Sequence, residues 1–189
     1  MDKLEEYALE NNIPIMQKDG ILFLIDYIKR NNVKTILEIG SAIGYSAINM
    51  ALSGDDIKVT TIERDSNRYK EAVSNIKDFG LDKQINIILG DALDVEIEDK
   101  FDLIFVDAAK AQYIKFFEKF KNNLNEDGTI VSDNLDFHGL AADVDNIKSK
   151  NLKALVRKIN NYRKFLEENK EFKTEFLKIG DGITLSKKA

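Results

Sequence analysis

Apolar and polar positions change rhythm twice along the chain. Between residues 2 and 12, Leu4, Tyr7 and Ala8 recur at helical spacing and Asn11-Asn12 supplies a stop; beyond Pro14, the stripe Leu22, Leu24, Ile25 and Ile28 predicts a second helix over about 18–31. From Lys34 onward, short β-branched runs alternate with helical stretches. Strands are predicted at 35–39, 57–62, 85–89, 101–106 and 128–132, and helices at 45–52, 67–79 and 113–124. The tail reads as a helix over 152–166 and two further runs, 175–179 and 183–186, joined by Gly180-Asp181-Gly182 as a hairpin. Strands alternating with helices imply right-handed crossovers, so the expected fold is a doubly wound α/β domain. Its seven-stranded sheet is mainly parallel, with one antiparallel strand from the hairpin. The whole chain, 1–189, is expected to be one domain, with N-terminal helices over 1–32 and an α/β core over 33–189. The longest stretch without a predicted element, 135–149, adjoins a strand end and is a candidate binding loop.

In such sheets ligands sit at the carboxyl ends of the strands. The first strand runs into Glu38-Ile39-Gly40-Ser41-Ala42-Ile43-Gly44-Tyr45-Ser46, where Gly40 and Gly44 permit a tight turn and close approach to a ligand at a helix N-terminus. The spacing is Gly-x-x-x-Gly, neither the dinucleotide Gly-x-Gly-x-x-Gly nor a phosphate loop, and a glycine pair serves equally as a plain βα turn. Glu63 follows roughly 20 residues later, where an acid commonly holds ribose hydroxyls. Gly90-Asp91-Ala92 ends the third strand, as a turn or as the flank of an adenine. The fourth and fifth strands run directly into Asp107 and Asp133-Asn134. Two carboxylates and an amide crowded at neighbouring strand ends repel unless a cation joins them, and with waters they complete an octahedral Mg²⁺ shell.

Composition sharpens this picture. The chain has no Cys and one His, so thiolate nucleophiles, zinc-thiolate sites and His-rich metal sites are excluded, and any metal is held by oxygen: Mg²⁺, Mn²⁺ or Ca²⁺. No apolar run is long enough to span a membrane and the start lacks a signal-peptide layout, so a cytoplasmic location is expected. With 28 Lys+Arg against 33 Asp+Glu the net charge is −5, which on average opposes nucleic-acid binding. The average conceals a local basic cluster: Lys148, Lys150, Lys153, Arg157, Lys158, Arg163 and Lys164. By itself it is either a solvated helix face or a docking surface.

Taken in order, Ile36-Leu37-Glu38-Ile39-Gly40-Ser41-Ala42-Ile43-Gly44-Tyr45-Ser46-Ala47, Glu63, Asp107-Ala108-Ala109-Lys110 and Ser132-Asp133-Asn134 resemble the divalent-cation-dependent O-methyltransferases of the catechol and caffeoyl-CoA type, which are class I, Rossmann-like S-adenosylmethionine (SAM) enzymes. The resemblance runs from about Asn12 to the end. It implies that Glu38, Gly40 and Ser46 surround the methionine moiety of SAM, that Glu63 binds the ribose, that Ala92 lies beside the adenine, and that Met16 closes over the cofactor. It further implies Asp107, Asp133 and Asn134 as metal ligands, Asp107 also bordering the cofactor, and Lys110 as the catalytic lysine. Asp136 and His138 are left out of these sets. Within the family the chain looks most similar to bacterial tRNA 5-hydroxyuridine methyltransferases, through Asn12 to Met16, Asp107 to Tyr113, Leu152 to Leu166 and Gly180 to Ile183.

The chemistry this implies needs an acceptor oxyanion in line with the S–CH₃ bond, so positioning is most of the catalysis. A metal that grips two adjacent oxygens serves a catechol and a 5-hydroxyuridine alike. The favoured acceptor is tRNA, for which the basic cluster offers a docking face; a small catechol or hydroxycinnamoyl-type acceptor is the alternative. A SAM-binding module without turnover is the second alternative, opposed by the intact Asp107, Lys110, Asp133 and Asn134 set. The family resemblance also implies a homodimer; the lack of an apolar span argues against a membrane partner, and the missing Gly-x-Gly-x-x-Gly against a nicotinamide-dependent dehydrogenase.

Overall fold

The computed structural model describes residues 2–135 and 149–189. Helices α1 (Asp2–Glu10) and α2 (Lys18–Arg30) precede an alternating series: β1 (Thr35–Ile39), α3 (Tyr45–Ala51), β2 (Lys58–Glu63), α4 (Ser66–Asp78), β3 (Ile85–Leu89), β4 (Phe101–Val106), α5 (Tyr113–Phe120) and β5 (Leu124–Ser132). The tail adds α6 (Lys150–Glu168), β6 (Phe172–Leu177) and β7 (Ile183–Lys188). Among the described residues the seven strands form one sheet in the order β3-β2-β1-β4-β5-β7-β6. All neighbours pair in parallel as far as β5, and β7 then runs antiparallel to both β5 and β6. The sequence of turns and crossovers therefore produces the doubly wound sheet with one reversed strand that the alternating pattern predicts.

The central strands are apolar on both faces because both are covered. Along β4, Leu103 and Phe105 enter a cluster with α1, α2 and α3, while Ile104 and Val106 face the other way onto α5 and α6. This two-sided burial is why β4 reads as an unbroken hydrophobic run. Its one polar residue, Asp102, anchors the foot of the sheet: Lys34 N and Thr35 N each donate to it at 2.9 Å, and Asn125 Nδ2 at 2.7 Å. Partial burial opposes its charge, but these hydrogen bonds outweigh that and hold the carboxyl below its usual range.

Two strand starts differ from the sequence expectation by three residues or more. β5 begins at Leu124, not at 128, because the pairing with β4 shifts between Phe101 and Leu103 and a bulge absorbs the intervening residues. A Cβ on Gly128 would stand 2.7 Å from Leu124 Cγ, so the residue that looks like a strand start is the close approach inside the bulge. β6 begins at Phe172, not at 175, since Asn169 Oδ1 accepts from Glu171 N and Phe172 N and starts the strand directly after α6. The hairpin turn then spans 178–182, with Gly180 and Gly182 at φ 54° and 89°. No helix among the described residues is long and apolar enough to cross a membrane. The candidate loop 135–149, apart from its two end residues, lies outside the described residues, as do Asp136, His138 and Lys148.

Candidate active site

The carboxyl ends of β1 to β5 open into a cavity of about 300 Å³. Its floor begins at the turn after β1, where Gly40, Ala42 and Gly44 all adopt positive φ (95°, 45° and 85°). Gly40 is required by the protein itself, since a Cβ there would lie 2.4 Å from the carbonyl oxygen of Asp107; close approach of two strand ends, and not only of a ligand, selects glycine. Ala42, strained at its left-handed position, is held by a hydrogen bond from its N–H to Glu63 Oε2 at 2.8 Å. Asp65 N donates to the other oxygen, Oε1, also at 2.8 Å. Both oxygens of Glu63 are thus oriented by backbone donors, and each retains acceptor capacity toward the cavity it lines. In the same turn Ser41 Oγ is buried with no partner among the described residues. Two spare carboxylate lone pairs, an orphaned hydroxyl and the apolar Met16 in the cavity wall suit a nucleoside carrying a polar amino-acid tail.

Glu38 is placed differently from Gly40, Ser46, Glu63, Ala92 and Met16, all of which line the cavity. It stands one layer behind, fully buried, accepting hydrogen bonds from Ser46 Oγ and from Thr61 Oγ1 at 2.5 Å. Burial pushes its carboxyl up to about 7, against the lowering effect of those two hydroxyls. A folded pKa raised above 4.5 means that stability is greatest at low pH and falls as pH rises toward 7. Glu38→Gln is therefore expected to remove a loss of about 3 kcal/mol between pH 5 and pH 8, read by urea unfolding; an unchanged slope would place the raised pKa elsewhere.

At the other end of the cavity, Asp107 and Asn134 line the wall and Asp133 lies against them, nearly buried. Backbone bonds extend the sheet into this cluster: Asp107 N donates to Ile39 O at 3.1 Å, and Asp133 N to Val106 O at 3.2 Å. Asn134, at φ 66°, turns its amide back so that Nδ2 donates to Asp107 Oδ1 at 3.2 Å and to Asp133 Oδ2 at 2.9 Å. Burial and then the charge of Asp107 push Asp133 up to about 7; Asp107 is raised by burial and drawn down by Lys110. Two carboxylates that resist ionisation together, joined by an amide that can reverse to offer its oxygen, make a fitting oxygen donor set for a hard divalent cation. Among the described residues no three His, Cys, Asp or Glu side chains converge as ligands, so the amide is integral to the set. Lys110 enters the same cavity from the 3₁₀ turn Lys110–Gln112.

Sequence reasoning passed over several residues here. Arg64 and Arg68 line the cavity beside Glu63. Asp181, in the hairpin turn, is near enough to raise both Asp107 and Asp133, although Gly-Asp-Gly signals only a turn. Tyr113 and Tyr162 form a buried layer behind the carboxylates and read in sequence as ordinary helix stripes.

A family model described as O-methyltransferase matches residues 1–189. The chain belongs to the O-methyltransferase family. It is 31% identical over 186 residues to tapetum-specific methyltransferase 1 of Arabidopsis thaliana, spanning 95% of this chain and 78% of that protein. To caffeoyl-CoA O-methyltransferase of Populus kitakamiensis it is 30% identical, spanning 88% and 74%. The crystal structure of a Staphylococcus aureus protein named as a candidate caffeoyl-CoA O-methyltransferase superposes with a TM-score of 0.95 at 38% identity, covering 100% of this chain and 91% of that one. The fold is that of class I SAM methyltransferases, and this O-methyltransferase is a SAM-dependent enzyme of the caffeoyl-CoA O-methyltransferase-like type. One cavity joins the oriented carboxylate of Glu63 to the acidic end at Asp107.

Proposed function

We propose that this O-methyltransferase binds SAM along the turn after β1 and a divalent cation, Mg²⁺ or alternatively Mn²⁺ or Ca²⁺, at Asp107, Asp133 and Asn134. The observation that carries the proposal is the convergence of that oxygen donor set with Lys110 in the cavity whose far end holds the oriented carboxylate of Glu63. On this reading Glu63 accepts from the ribose hydroxyls, Ala92 borders the adenine, and Ser46 with Gly40 flanks the methionine moiety, Glu38 fixing Ser46 from behind. Met16 covers the donor. A bound cation supplies a Lewis acid that acidifies an acceptor hydroxyl and fixes two adjacent oxygens. Lys110 takes the acceptor proton when its amine is neutral, or stabilises the resulting oxyanion when it is charged.

The favoured acceptor is the 5-hydroxyuridine of tRNA. Its support is the charge pattern of α6. Tyr162 meets Ser132 at the site end of β5, and the helix then runs back toward the foot of the sheet, where β6 begins. The stretch of α6 that precedes Tyr162 carries Lys150, Lys153, Arg157 and Lys158, with no acid in its first turn. Cations at the positive end of a helix are unfavourable for the isolated helix and favourable beside phosphates. A small catechol-type acceptor is the second reading, supported by the names of relatives such as the caffeoyl-CoA O-methyltransferase of Populus and the flavonoid 3',5'-methyltransferase of Vitis vinifera. Turnover with SAM and Mg²⁺ separates them, using tRNA from a methylation-deficient strain, catechol and caffeoyl-CoA as acceptors. The tRNA reading expects methylated nucleoside, and expects Arg157→Glu with Lys158→Glu to raise KM for tRNA by about tenfold or more through lost phosphate contacts. Turnover of the small acceptors alone overturns it.

A further inference from the structure

We propose that α6 is the positioning element for the Asp133-Asn134 turn, acting through Tyr162 and Arg163. The inference rests on the reading of that turn as part of the cation site. Each residue from 132 to 135 is held by a separate bond. Ser132 Oγ shares a buried hydrogen bond of 2.8 Å with Tyr162 Oη. The carbonyl of Asp133 accepts from Tyr113 Oη at 3.3 Å, and the Tyr113 ring packs edge-on against Tyr162 with centroids 5.2 Å apart. Asn134 is fixed by the two carboxylates. Leu135 O accepts from Arg163 Nη1 at 3.4 Å, and Leu135 N donates to Gly182 O at 3.0 Å. Arg163 is itself steadied by lying over the Phe176 ring at 5.1 Å.

This density of restraint has a physical reason. Asn134 is a non-glycine residue at φ 66°, a conformation that persists only where its surroundings over-determine it. A strand that stopped at Ser132 with nothing beyond would let the turn relax and swing the amide away from the carboxylates. Adjacent residues of α6 grip both sides of the turn: Tyr162 at the residue before Asp133, Arg163 at the residue after Asn134. Such outer supports of a ligand set commonly change metal affinity by about 10- to 100-fold when removed.

The test compares Arg163→Gln, Arg163→Lys and Tyr162→Phe with the wild type as full chains. Two readouts are taken: Mn²⁺ affinity by calorimetry, and amide hydrogen exchange at 133–135 against 63–65. Affinity for S-adenosylhomocysteine, which reports the Glu63 end, is the control. Arg163→Gln is expected to weaken Mn²⁺ by about tenfold and to speed exchange at 133–135 alone, with the control within twofold and Arg163→Lys restoring most of the loss. Equal losses at both ends of the cavity in Arg163→Gln, or no change at 133–135, overturn the proposal. Tyr162→Phe should act in the same direction; if it lowers folding stability generally, Arg163→Gln still decides. If the wild type binds no Mn²⁺, Mg²⁺ or Ca²⁺, the cation reading fails by itself, and the exchange comparison continues to decide whether α6 holds the turn.

Discussion

Asp133→Asn is expected to lower methyl transfer on the order of 10³-fold, a loss of several kcal/mol of transition-state stabilisation, while S-adenosylhomocysteine still binds. The same substitution should make the cation-free protein more stable, and the two effects share one cause. Asp133 is nearly buried beside Asp107, and burial followed by that neighbouring charge raises its folded pKa from 3.8 to about 7. Between those values the folded state holds a proton that the unfolded state has lost, so stability falls as pH rises from about 4 to about 7 and is level above. Asparagine has the same shape and carries no charge, so it removes the fall. Adding Mg²⁺ should reverse the ranking: the wild type gains more at pH 8 than at pH 5, because the cation competes with the proton, and Asp133→Asn gains little. Thermal unfolding at both pH values, with and without Mg²⁺, measures all of this beside the rate assay. Wild-type turnover by Asp133→Asn would remove the residue from the proposed ligand set.

What the chain makes legible depends on how local each constraint is. β4 could be read because burial on both faces leaves a single unbroken apolar run, and that run points straight at Asp107; β5 does the same for Asp133 and Asn134. Parallel neighbours in register bring those strand ends together, so the acidic cluster follows from the strands alone. Glu63 was legible by its distance from the glycines, but the reason its carboxylate is aimed was not, since Ala42 N and Asp65 N reach it only in the folded turn. Glu38 shows the opposite limit: a motif position can be recognised without revealing that its side chain turns away from the cavity toward Ser46 and Thr61. Asp181, Arg68 and Tyr113 gave no local signal, because a turn acid, a helix cation and an aromatic stripe acquire their roles only from what the fold sets beside them. The bulge that moves the start of β5 depends likewise on Asp102 and Asn125, which meet only across the sheet.

Lys110→Met is expected to reduce kcat by about 10²- to 10⁴-fold, the usual worth of a positioned proton acceptor, and to spare the affinity for S-adenosylhomocysteine. It separates from Asp133→Asn in its effect on the cation. Lys110 draws down the pKa of both Asp107 and Asp133, so its charge opposes protonation of the carboxylates but also repels any cation placed between them. With a divalent ion bound, repulsion outweighs the help, because the ion itself keeps the carboxylates ionised. Lys110→Met should therefore bind Mg²⁺ or Mn²⁺ as tightly as the wild type or more so while turning over slowly, whereas Asp133→Asn loses both. Arginine then distinguishes the two roles open to the lysine. Its guanidinium keeps the positive charge but does not give up a proton in proteins. If Lys110→Arg retains most of the rate, the residue acts by stabilising the acceptor oxyanion; if it is as slow as Lys110→Met while still binding donor and cation, the residue acts by taking the proton. Retention of full activity by Lys110→Met would place both tasks on another group in the cavity.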